Sequence, residues 1–310
     1  MKIFHGISDL PVFEHPVLTI GTFDGVHQGH KTILQSVVNE AKAMNGTSIL
    51  ITFDPHPRKL IFPHEPLKLL STLAERLALV EEAGIDITVV VPFTQAFAAL
   101  SAKDYVEDFL LRLFQPAAIV IGYDHHFGHD RTGDIAMLRS YTDSHHFVVK
   151  EIPAQLISEA AVSSTQVRKA LLEGNVAAAK NMLGEPYCIS GSVVEGAQRG
   201  RTIGYPTANI NVPDLDKLVP KIGVYAVIVH YEGVQYTGML NLGLNPTVST
   251  TDAIKIEVNI FDFDQTIYNE EITVCFIARL RDEKKFENLD ALKAQLAEDK
   301  KDALRVLSGN

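Results

Sequence analysis

Residues 21–30, GTFDGVHQGH, combine glycines and histidines in a pattern suited to binding phosphate. They follow the apolar run 17–20 and precede a helical pattern over 31–43, so they should lie where a strand ends and a helix begins. Glycines let the backbone approach a ligand closely, and the first N–H groups of a helix attract anions. His27 and His30 are spaced so that both imidazoles could contact successive phosphates of a nucleotide. The residues alone also fit a glycine-rich turn with two surface histidines.

A second candidate anion site is the segment VSSTQVR at residues 162–168. Ser164 and Thr165 are good N-cap residue types, and their hydroxyls can join a helix N-terminus in an anion pocket. Arg168 follows one turn later and could present a bidentate fork to phosphate. Simple helix capping beside an exposed arginine explains the same residues.

A third candidate is the glycine-rich, basic segment GAQRGRTIGYPTAN at residues 196–209. It does not have the GxxxxGK[ST] pattern of a Walker loop. Its backbone amides could still wrap a polyphosphate. Thr207 and Asn209 alternate across Ala208, so a strand-like backbone would aim both oxygen ligands the same way, and such ligands suit Mg²⁺. The alternative is an ordinary surface hairpin.

Glu257 lies in a strand pattern with a clear apolar face. Isoleucines and a valine alternate at 254, 256, 258 and 260, which leaves Glu257 and Asn259 on the opposite face. The period is consistent with a carboxylate that meets solvent and with one that meets a ligand.

The histidines at 125, 126, 129, 145 and 146 could suggest a transition-metal site. Adjacent histidines on a strand point to opposite faces, and no HExxH pattern occurs. We therefore predict no metal there.

The elements that must position these residues alternate in the first half of the chain. Strand patterns at 17–20, 48–53, 87–91, 117–122 and 146–150 are separated by helical patterns at 31–43, 73–83, 103–113 and 133–141. Near-continuous apolar strands between amphipathic helices predict a doubly wound α/β domain with a parallel sheet. Its ligand should bind beyond the carboxyl ends of the strands.

After residue 163 the pattern changes. Two short helices are predicted at 165–172 and 176–182, then strands at 187–194, 223–230, 234–240, 254–261 and 271–280, and a closing amphipathic helix at 288–307. The run of strands predicts a compact all-β unit, a barrel. We place the boundary near Gly184, which gives domains 1–184 and 185–310.

Composition sets the class of protein. The 310 residues suffice for two domains, 46% are hydrophobic, and the net charge is −10, a poor match for a nucleic-acid partner. The N-terminus lacks the apolar run of a signal peptide, and no stretch is long enough to span a membrane. Cys188 and Cys275 lie far apart in sequence without a pairing pattern, so we expect reduced thiols in a cytoplasmic protein. The sequence does not indicate an oligomeric state.

The first half resembles a known family. Residues 21–30 are similar to the HxGH signature of the nucleotidyltransferase superfamily, in the GxFDGVHxGH form of the FMN adenylyltransferase module of bacterial riboflavin kinase/FAD synthetases. TFDPHP at 52–57, GYDHHFG at 122–128 and VSSTQVR at 162–168 extend the similarity in chain order. The resemblance implies that ATP is bound by Gly21, Phe23, Asp24, His27, His30, Ser164, Thr165 and Arg168. It implies catalytic roles for His27, His30 and Arg168, and flavin contacts for Asp124 and Phe127. His125 and His126 depart from the family's aromatic-rich pattern.

The second half resembles the riboflavin kinases through its PTAN motif at 206–209. The similarity continues through GVYA at 223–226, NLG at 241–243, NPT at 245–247 and EVNIFDFD at 257–264. It implies a six-stranded barrel, ATP near Gly204, Mg²⁺ held by Thr207 and Asn209, and Glu257 as general base on the 5′-hydroxyl of riboflavin. QTIYN at 265–269 departs from the family, which commonly has an acidic residue and a glycine there.

Together the two halves imply an enzyme that makes FMN from riboflavin and FAD from FMN, with ATP and Mg²⁺ at separate sites. Two other hypotheses remain: one half has lost its activity, or the protein is a flavin-binding regulator or a tRNA-handling HxGH relative. The lack of a long basic stripe argues against the tRNA case.

Overall fold

The computed structural model describes residues 1–153, 162–196, 200, 203–244 and 254–309. Much of the basic part of the glycine-rich segment, including Arg199 and Arg201, and the NPT match at 245–247 lie outside the described residues. The chain divides into two compact units, residues 1–164 and 165–310. The two short helices between Ser164 and Leu183 thus fall almost wholly in the second unit. Our boundary near Gly184, which groups them with the first domain, stays a prediction.

The first unit is built on a six-stranded sheet, and its paired strands are all parallel. The strands are β1 (Lys2–His5), β2 (Val17–Ile20), β3 (Ser48–Asp54), β4 (Ile87–Pro92), β5 (Ala118–Gly122) and β6 (Val148–Ile152). Their order is β1-β4-β3-β2-β5-β6. β2 to β5 are largely buried apolar runs, as a sheet covered on both faces requires.

Helices cover both faces of this sheet. They are α1 (Gln28–Ala43), α2 (Pro57–Ile61), α3 (Leu73–Glu82), α4 (Gln95–Ala98), α5 (Ala102–Asp104), α6 (Arg112–Phe114), α7 (Ile135–Ser140) and α8 (Thr142–His145), and a π-helical stretch, Tyr105–Leu111, joins α5 to α6. Alternate residues of each strand enter two different cores: Leu18 and Ile119 pack with Phe109 and Phe114, whereas Val17 and Val120 pack with α1. The predicted doubly wound fold is confirmed.

The strand order fixes where a ligand can bind. β2 leads to β3 and β4 on one side, whereas β5 and β6 lie on its other side, so the order reverses between β2 and β5. In open α/β sheets the crevice at this reversal, outside the carboxyl ends of the strands, holds the ligand. The segments that follow these two strands are 21–30 and 123–134, which carry the predicted phosphate and flavin residues.

The second unit starts with α9 (Ser164–Leu172) and α10 (Val176–Leu183), followed by a closed antiparallel barrel. The barrel strands are β7 (Cys188–Val194), β8 (Ala208–Asn211), β9 (Gly223–Tyr231), β10 (Val234–Leu244), β11 (Ile254–Ile260) and β12 (Glu271–Arg281), and the chain ends with α11 (Leu289–Leu307). Around the barrel the order is β10-β11-β8-β7-β12-β9. No helix among the described residues is both long and apolar enough to cross a membrane.

Two strands were not predicted from the residues. β8 is four residues long and two of the four are asparagines, so it lacks a strand pattern of its own; β7 and β11 supply its hydrogen-bond partners. β1 is a partly exposed edge strand that pairs with β4. In both cases the neighbouring strands, and not local propensity, determine the conformation.

The expectation for the cysteines was wrong. Cys188 and Cys275 are directly opposite each other on β7 and β12, and their sulfurs are joined in a disulfide. Residues 87 positions apart in sequence become neighbours because the barrel closes its last strand against its first. Separation along the chain carries no information on such cross-strand pairs.

A buried ion pair fastens α11 to the barrel. Arg281, on β12, donates from Nε and Nη2 to the two carboxylate oxygens of Asp299 at 2.8 and 2.7 Å. Asp299 is only 2% exposed, and Gln295 donates a further hydrogen bond to it. A bidentate pair in this position fixes the rotation of the helix as well as its distance.

We expect Asp299→Asn to lower the free energy of unfolding of the second unit by about 3 kcal/mol, because Arg281 would lose its buried counter-charge. Urea denaturation followed by circular dichroism measures this change. The control is Asp302→Asn on the same helix, whose exposed pair with Arg305 should contribute less than about 0.5 kcal/mol. Equal losses in the two variants would contradict an anchoring role for Asp299.

Candidate active sites

The turn between β2 and α1 has an unusual backbone. Phe23 and Val26 have φ values of 48° and 38°, and Gly25 has 79°. A Cβ on Gly25 would lie 2.7 Å from the side chain of Leu70, so this position needs glycine for space as well as for its dihedral angle. The turn is therefore a fixed shape, not a flexible linker.

Asp24 holds the turn in that shape. Its carboxylate is 2% exposed and accepts hydrogen bonds from the N–H groups of Leu70 and Ser71 and from the Ser71 hydroxyl. The Ser71 hydroxyl in turn accepts from the N–H of Gly25. These contacts give Asp24 a structural role in the loop; the direct ATP contact that the resemblance implies stays a prediction.

Arg76 ties the same turn to the neighbouring strand. Its guanidinium is 5% exposed and donates to the carbonyl of Thr22 at 2.8 Å and to that of Phe53 at 3.1 Å. Burial lowers its pKa, and the nearby Asp24 and Asp54 carboxylates partly oppose this shift. Sequence reasoning missed this residue, because a single arginine in a helical pattern normally indicates a solvated face.

His27 and His30 are brought together at the start of α1. His27 is the N-cap, and its Nδ1 accepts from the N–H of His30 at 3.3 Å. The two rings stack with centroids 3.7 Å apart, and His30 also contacts the ring of the buried Phe23 at 4.7 Å. Because Nδ1 of His27 is an acceptor, the neutral ring carries its proton on Nε2 and can donate from that atom.

His30 is held neutral. Burial, and secondly the neighbouring His27, lower its pKa well below the usual range. Its Nδ1 is buried without a hydrogen-bond partner among the described residues. An unpaired buried nitrogen costs free energy, so a ligand group that pairs with this ring would be favoured. The pair of imidazoles thus offers hydrogen bonds rather than positive charge to an anion.

Ser164 also reaches this turn. Its hydroxyl donates to the carbonyl of Asp24 at 3.0 Å, so the start of the VSSTQVR segment lies against the loop that Gly21 begins. Thr165 and Arg168 follow on α9 and belong to the second compact unit. Thr165 is exposed and Arg168 is half-buried.

The segment after β5 contains both predicted flavin residues. Asp124 is exposed. Phe127 is 5% exposed and stacks on the buried ring of Tyr105 with centroids 5.0 Å apart. A Cβ on Gly133 would lie 2.3 Å from the ring of Phe127, so that ring is packed into the domain core. A direct flavin contact by Phe127 stays a prediction.

Three polar side chains line up across the barrel. Glu257, on β11, is directly opposite Asn209 on β8 and Asn241 on β10. Residues opposite each other in antiparallel strands point to the same face. Ile256, Val258 and Ile260 are buried on the other face, as the sequence period predicts. The register thus brings together the predicted metal ligand Asn209 and the predicted base Glu257.

Two contacts set the positions of Thr207 and Asn209. Asn259 donates from Nδ2 to the carbonyl of Pro206 at 2.6 Å, which fixes the residue before Thr207. A Cβ on Gly196 would lie 2.1 Å from Nδ2 of Asn209, so only a glycine leaves room for this amide. Gly204 is exposed in the turn that precedes Pro206. Thr207 directly precedes β8 and Asn209 is its second residue, so their role as Mg²⁺ ligands stays a prediction.

A pocket opens next to Thr207 on the inner side of these strands. Its apolar wall includes Val258, Ile260 and Phe263, and Gln265 and Tyr268 add polar atoms. In the sequence, residues 265–269 stand out only because they depart from the family pattern. Their place in a pocket wall could not be predicted, because it depends on the folded positions of the other lining residues.

His125 offers a test of the described packing after β5. Burial is the largest influence and lowers its pKa to about 4; Asp124 acts in the opposite direction. As the pH falls below about 6.5, His125 is protonated in the unfolded chain but stays neutral in the folded chain. The free energy of unfolding therefore decreases. The loss from this residue should be about 2 kcal/mol between pH 7 and pH 5.

We expect His125→Phe to remove that part of the pH dependence of unfolding, measured by calorimetry at the two pH values. His126→Phe, at the exposed neighbouring position, should leave it unchanged. An unchanged pH dependence in His125→Phe would show that the imidazole is solvated.

The two halves of the chain match two family models. Residues 11–166 match FAD synthetase, and residues 183–307 match riboflavin kinase. A curated bifunctional riboflavin kinase/FMN adenylyltransferase from Listeria monocytogenes is 38% identical, over 92% of this chain and 90% of its own. The Escherichia coli K12 protein of the same name is 37% identical, over 96% of each chain.

A solved structure shows the same architecture. The crystal structure of a Streptococcus pneumoniae protein, described as a macrolide-efflux protein, has a TM-score of 0.87 and 32% identity, and the match covers 97% of this chain and 98% of that one. Both family models and the near full-length similarity agree with the fold. The chain belongs to the bifunctional riboflavin kinase/FMN adenylyltransferase family.

Proposed function

We propose that the residues described above perform the two steps of FAD synthesis at two separate sites. The barrel transfers the γ-phosphoryl group of ATP to riboflavin, and the first unit transfers AMP from a second ATP to the resulting FMN. The observation that carries this proposal is that each half presents its own phosphate-binding arrangement. One is the histidine pair at the start of α1, and the other is the row of Asn209, Glu257 and Asn241 across the barrel.

In the kinase reaction Glu257 is the general base. Its carboxylate takes the proton of the 5′-hydroxyl of riboflavin, the hydroxyl oxygen bonds to the γ-phosphorus, and ADP leaves with the electrons of the broken P–O bond. A hydroxyl is a weak acid, so the proton moves late, as the phosphoryl group transfers. Thr207 and Asn209 are the residues that would hold Mg²⁺. When bound, the ion neutralises charge on the phosphates.

The pocket beside Thr207 suits the base of that ATP. Its apolar wall would cover the ring of the nucleotide, and the polar atoms of Gln265 and Tyr268 lie at positions that could pair with ring nitrogens. Thr207 lines this pocket and directly precedes β8, on which Asn209 is opposite Glu257. Gly204, in the preceding turn, lets the backbone lie close to the phosphates.

In the adenylyl transfer a phosphate oxygen of FMN bonds to the α-phosphorus of ATP, and pyrophosphate leaves. FMN is already an anionic nucleophile, so the step depends on positioning and charge stabilisation. His27 donates from Nε2 and His30 from its neutral ring to the phosphates. Ser164, Thr165 and Arg168 supply further donors, Gly21 leaves room for the phosphates, and Phe23 and Asp24 support the turn. Asp124 is a candidate contact to the flavin ring.

We place both reactions in the cytoplasm, where ATP is available. A single assay distinguishes this function from two alternatives. The protein is incubated with riboflavin, ATP and Mg²⁺, and the flavins are separated by chromatography. FMN without FAD would indicate an inactive first unit, and unchanged riboflavin would indicate a binding protein.

Substitutions should separate the two reactions. We expect Glu257→Gln to lower FMN formation at least about 100-fold, because the general base is lost. FAD formation from supplied FMN should persist. His30→Asn should have the converse effect. If either variant stopped both reactions while remaining folded, the assignment to two sites would be wrong.

Gly196→Ala tests how Asn209 is positioned. The added methyl group would displace the Asn209 amide, which is the flexible end of a side chain, so stability should change little. FMN formation should fall about 10-fold or more, because a ligand moved by about 1 Å no longer fits the reacting geometry. The control is Gly309→Ala after α11, where the nearest atom, the carbonyl oxygen of Val306, would lie 4.0 Å from the added group. Full kinase activity in Gly196→Ala would contradict the role of Asn209.

A further inference from the structure

Lys255 contacts the proposed general base. Its ammonium nitrogen lies 2.8 Å from Oε1 of Glu257. The two residues are two positions apart on β11 and therefore share its outer face. Their side chains are 36% and 24% exposed, so the pair is accessible from the face on which Asn209 and Asn241 also lie.

The position opposite Lys255 on β10 is Gly243, which has no side chain. The carboxylate of Glu283 lies over Gly243, since a Cβ there would be 2.5 Å from its Oε1. The ion pair of Lys255 is nevertheless with Glu257. Both positions opposite Glu257 are asparagines, which carry no charge. Among the described residues, the positive charge in contact with the Glu257 carboxylate is that of Lys255, on the same strand.

We propose that Lys255 is a positioning residue for the kinase reaction. It holds Oε1 of Glu257 and so directs Oε2 toward the hydroxyl of the substrate. An exposed glutamate samples several rotamers, and a contact at one oxygen restricts them to those in which the other oxygen is presented. The inference rests on the proposed role of Glu257 as base.

The geometry indicates an effect on turnover and not on binding. Lys255 lies beyond Glu257 as seen from Asn209, because β8 is opposite residues 257 and 258 of β11. Loss of the ammonium should therefore loosen the base while leaving the proposed ATP ligands in place.

The test is Lys255→Met in the full chain, assayed for FMN formation. We expect kcat to fall about 10-fold, because the base is no longer held in its reacting orientation, with KM for ATP and riboflavin within about twofold. Lys255→Arg should restore most of the activity, since a guanidinium can reach the same oxygen. FAD formation from supplied FMN should be unchanged. Lys301→Met is the matched control, because Lys301 forms an exposed pair with Glu298 on α11.

Two further results separate this inference from the function on which it rests. In a Glu257→Gln background, Lys255→Met should cause no additional loss, because Lys255 acts through Glu257. If Glu257→Gln abolishes FMN formation but Lys255→Met leaves kcat unchanged, or raises KM alone, the positioning role is overturned and the base remains. If Glu257→Gln is fully active, the proposed base is wrong, and the inference is overturned with it.

Discussion

The first unit depends on one constraint: the polar backbone of a buried turn must find hydrogen-bond partners. The chain leaves β2 at the point where a ligand is to bind and turns through left-handed backbone angles before α1 begins. Side chains outside the turn supply the partners: Arg76 donates to the carbonyl of Thr22, and the Ser71 hydroxyl accepts the N–H of Gly25. In return the Asp24 carboxylate accepts the N–H groups of residues 70 and 71, so the turn is fixed in shape at the start of α1. The histidines can be placed there because other residues hold the turn.

In the barrel, the register of the strands determines the positions of the candidate site residues. Its candidate site residues form a row set by which residues are opposite one another on three strands, with Glu257 in the middle. A shift of one residue in the pairing of β11 would turn Glu257 into the barrel and the isoleucines of this strand outward. The buried face therefore enforces the position of the functional face. Local contacts adjust the side-chain positions further. Asn259 donates to the carbonyl of Pro206, and Gly196 has no Cβ that would clash with Asn209.

Sequence reasoning predicted what depends on periodicity and on local residue types. Buried strand runs, the helices between them and the change to an all-β pattern all follow from apolar spacing, and the alternation around Glu257 matches the barrel. The resemblance supplied the sixth barrel strand, which the polar residues of β8 do not reveal. Arg76, the Cys188–Cys275 bond and the pocket beside Thr207 could not be predicted, because each depends on residues that meet only after folding. Asp24 was placed correctly in the turn, but a motif does not show whether a carboxylate faces the ligand or the protein.

The chain carries a net charge of −10, yet both sites must receive triphosphates. We propose that the first unit meets this requirement with neutral donors, since burial lowers the pKa of His30 and Nδ1 of His27 accepts the capping hydrogen bond. Neutral donors have a consequence for turnover. A cationic pair would bind the substrate triphosphate and the pyrophosphate product alike, and interactions made equally in all states do not accelerate a reaction. Neutral imidazoles fixed at the start of a helix would orient the phosphates by hydrogen bonds and would bind the ground state less tightly than a cationic pair.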